Sequence, residues 1–275
     1  MSLEYAPRGL IGVLTPQANT TVEPELSVLL PPGIAMINAR LTSPKPGMVD
    51  RLLDYLRDIE GAAAQFANAP LAAVAFACTG SSYYAGPAEE GAIVARMEAA
   101  RGVPVVTAGQ AVRDALRALS ARRIGLVSPY PDELTRAAIG YWEAQGFEVA
   151  RLSGSTLRDG AFHPIYAMDG AGAGAALEAL DPAGLDAIVM LGTGMPTLQP
   201  ILARGIRGGV PVLSCMLCLA WRSVEAVTEG RADAASLQGW LGGRSWRGRW
   251  QMRCEIPQDS TGPDIAKPES TGLRR

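Results

Sequence analysis

The sequence holds a single histidine, His163, in 275 residues, and only four cysteines, at positions 78, 215, 218 and 254. Four thiols so unevenly spread do not make a disulfide framework in a chain of this size. Cys215-Met-Leu-Cys218 has metal-like spacing, but no second pair follows it, so four soft zinc ligands are not offered in register. Those two thiols read as small buried hydrophobes at a strand-to-helix junction. An excess of either charge is also lacking: the net charge is −2, which suggests neither nucleic acid nor a membrane surface as partner. No apolar run reaches the roughly 20 residues that span a bilayer. The opening Met1-Ser-Leu-Glu-Tyr-Ala-Pro-Arg has no basic segment followed by an apolar one, so the expected location is cytoplasmic.

What the chain does have is a high apolar content, 48%, arranged in short runs that end abruptly. The most informative is Leu71-Ala-Ala-Val-Ala-Phe-Ala-Cys78-Thr79-Gly80-Ser81-Ser82-Tyr83-Tyr84. An unalternating run of this length reads as a strand buried on both faces of a parallel sheet. Its polar end is then a strand carboxyl end, where open α/β sheets bind ligands. Ile11-Gly-Val-Leu-Thr15-Pro16 is another such strand, followed by the polar turn Gln17-Ala-Asn19-Thr20-Thr21. Leu52, Leu56, Ile59, Ala63 and Phe66 recur at helical spacing between Val49 and Asn68. Pro87 starts a helix that ends before Gly102, Val103–Thr107 is a further strand, and Val112, Leu116 and Leu119 mark a helix after it.

The pattern then begins again. Ile124-Gly-Leu-Val-Ser128-Pro129 repeats Ile11 to Pro16, Leu185 to Gly194 repeats Leu71 to Gly80, and Val210-Pro-Val-Leu-Ser214 repeats Val103-Pro-Val-Val-Thr107. The offsets are 113, 114 and 107, so three landmarks agree to within one short insertion. A duplicated α/β half follows, and with it two pseudosymmetric Rossmann-like lobes, each a mainly parallel sheet flanked by helices, facing each other across a cleft. The boundaries expected are 9–120 for the first lobe, with room for one strand or helix exchanged from the C-terminal part, 121–241 for the second, and a flexible tail over 242–275. That tail lacks an apolar period. Its Arg244, Arg247 and Arg249 interleave with Trp246 and Trp250, but a stretch so short on a neutral protein does not make a nucleic-acid surface.

Two motifs carry a family resemblance. Pro16-Gln-Ala-Asn19-Thr20-Thr21-Val-Glu23 resembles the Pro-Ser-Ser-Asn-Thr-Thr-Met-Glu motif of maleate cis-trans isomerases, and Cys78-Thr79-Gly80-Ser81-Ser82-Tyr83-Tyr84-Ala-Gly86 is similar to their first cysteine loop and to the corresponding loop of arylmalonate decarboxylases. Both groups belong to the aspartate/glutamate racemase superfamily. The resemblance, over about residues 9 to 232, implies two pseudosymmetric lobes, no metal or organic cofactor, a small carboxylic-acid substrate, and assembly as a homodimer or homotetramer. It also implies a cysteine-dependent isomerase of a small unsaturated dicarboxylic acid, with arylmalonate-type decarboxylation or carboxylate binding without chemistry as alternatives. The chain departs from the pattern at Gly192, where racemases and maleate isomerases carry a second cysteine, and in Gly160-Ala-Phe-His163-Pro, where maleate isomerases carry a substrate-binding Asn.

The candidate catalytic residues are Cys78 and Tyr130; Gln17, Asn19, Thr79, Gly80, Ser82, Gly192, Thr193 and Gly194 are the candidate substrate-binding residues. Tyr130, in Ser128-Pro-Tyr130-Pro-Asp132, matches a substrate-carboxylate tyrosine of both groups, and Asn19 would bind the other carboxylate. Opposed loops of backbone N–H groups are expected to lower the Cys78 pKa, and with the hydroxyls of Thr79, Ser82 and Thr193 to hold carboxylates or an enediolate. Met195, Phe162 and Met216 are expected to set the pocket size. His163, a lone imidazole before a proline, reads as a loop residue.

Overall fold

In a computed structural model that describes residues 3–154 and 164–254, the apolar runs that end in hydroxyls are parallel strands, and the repeat in the sequence is a repeat in topology. The first half runs β1 (Gly9–Pro16), α1 (Val22–Leu29), β2 (Ile34–Leu41), α2 (Met48–Arg57), α3 (Ile59–Ala64), β3 (Ala73–Phe76), α4 (Thr79–Arg101), β4 (Val105–Thr107) and α5 (Ala108–Ala118). The second runs β5 (Arg123–Ser128), α6 (Asp132–Glu143), β6 (Glu148–Gly154), α7 (Gly170–Ala179), β7 (Ala187–Met190), α8 (Leu198–Arg204), β8 (Ile206–Arg207), β9 (Val210–Ser214), α9 (Cys215–Val227), α10 (Ala234–Gln238) and α11 (Arg247–Cys254).

The first sheet has the order β2-β1-β3-β4, all parallel; the second has β6-β5-β7-β9 with the same pairing and the short antiparallel β8 at its edge. The central strands Ala73–Phe76 and Ala187–Met190 are apolar and buried throughout, because helices cover both faces of each sheet. The strands that precede the two matching loops therefore lie at equivalent central places, and both loops leave a carboxyl end.

Helix α9 follows the last strand of the second sheet yet packs on β1, β3, β4 and α5 of the first half. Its first turn holds Cys215 and Cys218, both fully buried, in keeping with a packing role at a strand-to-helix junction. The long helical stretch read between Val49 and Asn68 is two helices, broken at Asp58. Pro87 does begin a helical segment: the backbone kinks at Gly86 (φ +78°) and stops at Gly102 in the left-handed conformation.

The expectation of a flexible tail from residue 242 is corrected over 242–254. Trp246 is fully buried and donates from Nε1 to the Trp240 carbonyl at 3.1 Å. Arg249 then donates to the Val28 carbonyl at 2.6 Å and the Leu29 carbonyl at 2.8 Å, where α1 ends. Carbonyls at a helix C-terminus lack intrahelical partners and carry partial negative charge, so a guanidinium is well placed there. Trp246 and Arg249, with Arg247 on the Leu202 carbonyl and Trp250 packed against the core, anchor the segment without any apolar period. No helix of the described residues is long and apolar enough to cross a membrane.

Candidate active site

Cys78 stands at the turn between β3 and α4, as the N-cap residue of that helix, and is 4% exposed. It lines a cavity of about 20 Å³ with Asn19, Thr79, Gly80, Tyr130, Thr193 and Gly194, which are seven of the ten residues named from the sequence. Leu52 of α2, Ile165 and Tyr166 complete its walls, together with Pro16 and Leu134. A volume of this size holds about one water. Any larger ligand must part the walls to enter.

The residues that form the cavity also tie the two halves together. Thr79 Oγ1 and the Tyr130 hydroxyl are 2.9 Å apart. Thr193 donates from Oγ1 to the Ala77 carbonyl at 2.8 Å and accepts from Asn19 Nδ2 at 3.4 Å. Thr21 donates to the Gly194 carbonyl at 2.9 Å. The Thr193 hydroxyl has one hydrogen and gives it to Ala77, so it is committed to the frame, not free to hold a carboxylate.

Asn19 is fixed from the other end. Its Oδ1 accepts the backbone N–H groups of Thr21 at 2.8 Å and Val22 at 3.1 Å, capping the start of α1. That settles which end of the amide faces the cavity: the NH₂ group, with a hydrogen to spare beyond the one aimed at Thr193. Cap chemistry and ligand chemistry use opposite ends of one side chain.

Burial pushes the Cys78 thiol up from its usual value, while the Ser81 hydroxyl and the backbone N–H groups of Ser81 and Gly80 pull it back down. The net direction is upward, which corrects the expectation of a lowered thiol pKa. Removal from water outweighs the donors of one helix start. The phenols of Tyr130 and Tyr166 are pushed up by burial as well, and that of Tyr55 on α2 to about 12. The described lining contains no carboxylate, imidazole or amine.

Three named residues do not line the cavity. Gln17 is spent on the backbone, its Oε1 accepting the Ser43 N–H at 2.7 Å. Ser82 is fully buried away from the cavity with an unpartnered hydroxyl, because at the start of a helix the residue three after the N-cap, here Ser81, is the one that turns back to it. Gly192 sits behind the wall, with φ +87°, where a Cβ would lie 2.9 Å from Ile165 Cδ1 and 2.9 Å from the Tyr130 hydroxyl. Ile165 therefore takes the space a second thiol would need. Tyr166 does the same over Gly194, whose Cβ would fall 2.6 Å from the ring. Met195 and Met216 are fully buried and do not line the cavity; Phe162 and His163 lie outside the described residues. Among the described residues no three His, Cys, Asp or Glu side chains are grouped to hold a metal ion.

Sequence reasoning missed Ser81, Leu52, Ile165 and Tyr166. The capping spacing from Cys78 could have found Ser81; the other three are brought in by tertiary packing alone.

The sequence model of a family described as arylmalonate decarboxylase matches residues 11–238. A maleate isomerase of Nocardia farcinica is 28% identical over 79% of this chain and 89% of its own length. The crystal structure of a mutant of maleate cis-trans isomerase from the same organism, with a covalently bound succinylcysteine intermediate, is similar at a TM-score of 0.71 and 26% identity, covering 83% of this chain and 98% of that one. An arylmalonate decarboxylase mutant in its liganded form, with a glycine changed to cysteine and a cysteine to serine, is similar at a TM-score of 0.65 and 25% identity, covering 81% and 94%.

Proposed function

This chain belongs to the arylmalonate decarboxylase family, and from that premise and the geometry of the cleft we propose that it is a cysteine-dependent isomerase of a small unsaturated dicarboxylic acid, of the maleate cis-trans type. The observation that carries the proposal is the place of Cys78: a thiol at the carboxyl end of a central strand, on the floor of a cavity whose other polar walls are neutral donors. Relatives that share most of the chain's length are maleate isomerases, and one similar structure holds a succinylcysteine.

In the proposed reaction the Cys78 thiol first gives its proton to solvent water as the cavity opens, since the described lining holds no base, and the thiolate then adds to one alkene carbon. A carbon–sulfur bond forms, and the π electrons move to the neighbouring carbon and its carboxylate as an enediolate. The former double bond is now single and turns. When the enediolate collapses, the π bond re-forms in the trans arrangement and the thiolate is expelled. Backbone N–H groups of the Thr79-Gly80 and Thr193-Gly194 loops, the Asn19 amide and the hydroxyls of Thr79 and Tyr130 are the donors for the two carboxylates and the developing charge. Nothing in the sequence asks for a metal or an organic cofactor. Racemisation is not part of the reading, since proton exchange at one carbon uses an acid/base group on each face and Gly192 has no side chain.

Within the proposal the two lobes span 9–120 and 121–241, with α9 as the helix exchanged onto the first, and the assembly is a homodimer or homotetramer in the cytoplasm. A single thiol also fits decarboxylation of an arylmalonate, in which an enediolate is protonated from one side. Incubation with maleate and, separately, with phenylmalonate, followed by proton NMR, distinguishes the readings. Fumarate formed from maleate supports the isomerase. Phenylacetate from phenylmalonate with maleate unchanged supports the decarboxylase, and recovery of both acids unchanged supports a binding protein.

A further inference from the structure

Cys78 has one neighbour whose hydrogen bonds do not add up in both protonation states. Its Sγ lies 3.2 Å from Ser81 Oγ, and Ser81 Oγ lies 2.8 Å from the Leu52 carbonyl oxygen. A serine hydroxyl has one hydrogen, and a carbonyl can only accept. With the Ser81 hydrogen on Leu52, the sulfur must be the donor to Ser81, so the arrangement is that of a protonated thiol. A thiolate cannot donate. For Ser81 to bond it, the hydroxyl has to turn and release Leu52.

We propose that Ser81 is the switch of the nucleophile: it holds the resting thiol by accepting from it, and turns to donate to the thiolate once the proton has left. Ser81 is fully buried, so no water competes for its hydrogen and the choice is between two protein acceptors. Releasing Leu52 leaves no orphan, because Leu52 lies inside α2, where its carbonyl has the helical N–H four residues on as its ordinary partner. The sulfur gains a charge-assisted hydrogen bond on top of the backbone N–H groups of Gly80 and Ser81. Ser81 thus joins the charge on the sulfur to the contact between α4 and α2. Of the titratable and charged groups around the sulfur, Tyr55 on α2, Tyr130 and Tyr166 interact with Cys78, Arg51 on α2 and Arg40 lie near Tyr166, and Cys215 at the start of α9 lies near Tyr130.

The inference rests on Cys78 being the nucleophile of the proposed reaction, but its test reads the thiol itself and needs no substrate. Thiolate is followed by its ultraviolet absorbance against pH, as the difference between the protein and its Cys78→Ser variant. That subtraction removes the distant phenols and the other three thiols, and the phenols of Tyr55, Tyr130 and Tyr166, which feel the Cys78 charge, are followed separately at the longer-wavelength tyrosinate band. The same difference is taken in a Ser81→Ala and in a Ser81→Thr background, with melting temperatures of each variant as the control for folding. Hydrogen bonds to charged groups contribute more than neutral ones, so Ser81→Ala is expected to raise the Cys78 midpoint by about one pH unit. That is roughly tenfold less thiolate at a pH below the midpoint. Ser81→Thr keeps the hydroxyl and is expected to restore the midpoint. An unchanged midpoint in a folded Ser81→Ala protein overturns the switch, as does one that Ser81→Thr fails to restore while folded. Absence of maleate turnover in a protein whose midpoint does move would refute the substrate and leave the switch standing.

Discussion

Replacing Glu25 with Gln should make this protein more stable above pH 7 and no more stable at pH 4. Glu25 is on α1, three residues past the Asn19-capped start, and its carboxylate reaches across the cleft to accept the N–H of Thr197 at 2.6 Å and of Leu198 at 3.3 Å, at the start of α8. Burial raises its pKa from 4.5 to about 7, against the lowering effect of those two N–H groups and the Thr197 hydroxyl. Between those pH values the folded protein keeps a proton that the unfolded chain has released. Stability is therefore fully present below about pH 4.5 and falls as pH rises through about 7. A difference of about 2.5 units corresponds to about 3 kcal/mol. Glutamine removes that loss and keeps the geometry. Its Oε1 accepts the same two N–H groups, and its Nε2 donates to Thr197 Oγ1, whose hydrogen, given to the carboxylate when Glu25 is ionised, then turns to Ser214 Oγ, 2.9 Å away. Melting temperatures of both proteins, scanned from pH 4 to pH 9, should diverge by roughly 6 to 10 °C at the alkaline end. Parallel curves would refute the argument, because Glu25 would then titrate as it does in the unfolded chain.

Four further expectations come from the site and its frame. Gly192→Cys should lower the melting temperature, since a side chain at φ +87° costs about 1–3 kcal/mol and Ile165 and Tyr130 occupy its space; incubation of amino acids in deuterated water should show no racemase gained. Asn19→Asp should keep the α1 cap and near-native stability but bind a dicarboxylate poorly, whereas Asn19→Ala should also lose about 1 kcal/mol of stability; KM and melting temperature separate the two. Tyr130→Phe removes the partner of Thr79 Oγ1 and should lower kcat about a hundredfold with the fold intact. Trp246→Ala should cost about 3–5 kcal/mol, measurable by urea unfolding, because residues 242–254 are part of the packed structure.

Strand ends were legible because a parallel strand buried on both faces has no freedom in its composition. The run from Leu71 to Ala77 can be nothing polar, and the first hydroxyl or thiol after it marks where the sheet stops. The duplicated order of strands followed from three such landmarks. The walls of the cavity were less legible. Ile165 and Tyr166 reach it from a turn far along the chain, and no local spacing announces that. Ser81 and Ser82 are neighbours of the same type, and only the phase of the helix start decides which faces Cys78. The direction of the thiol shift is not legible for a related reason: the sequence reveals the donors at a helix start but not the depth at which they are buried. The segment after 241 is not legible because isolated side chains anchor it, Trp246 and Arg249 foremost with Arg247 and Trp250 beside them, which leaves no period to find.

The central claim is that Cys78 bonds covalently to a small unsaturated dicarboxylate. It is tested by following the conversion of maleate to fumarate by proton NMR with the protein and with Cys78→Ser, and by mapping acid-quenched protein for an adduct by peptide mass. Fumarate is expected from the unaltered protein, with a fall of at least roughly a thousandfold in Cys78→Ser and an adduct of one substrate on the Cys78 peptide alone. Turnover that survives in a folded Cys78→Ser protein would contradict it.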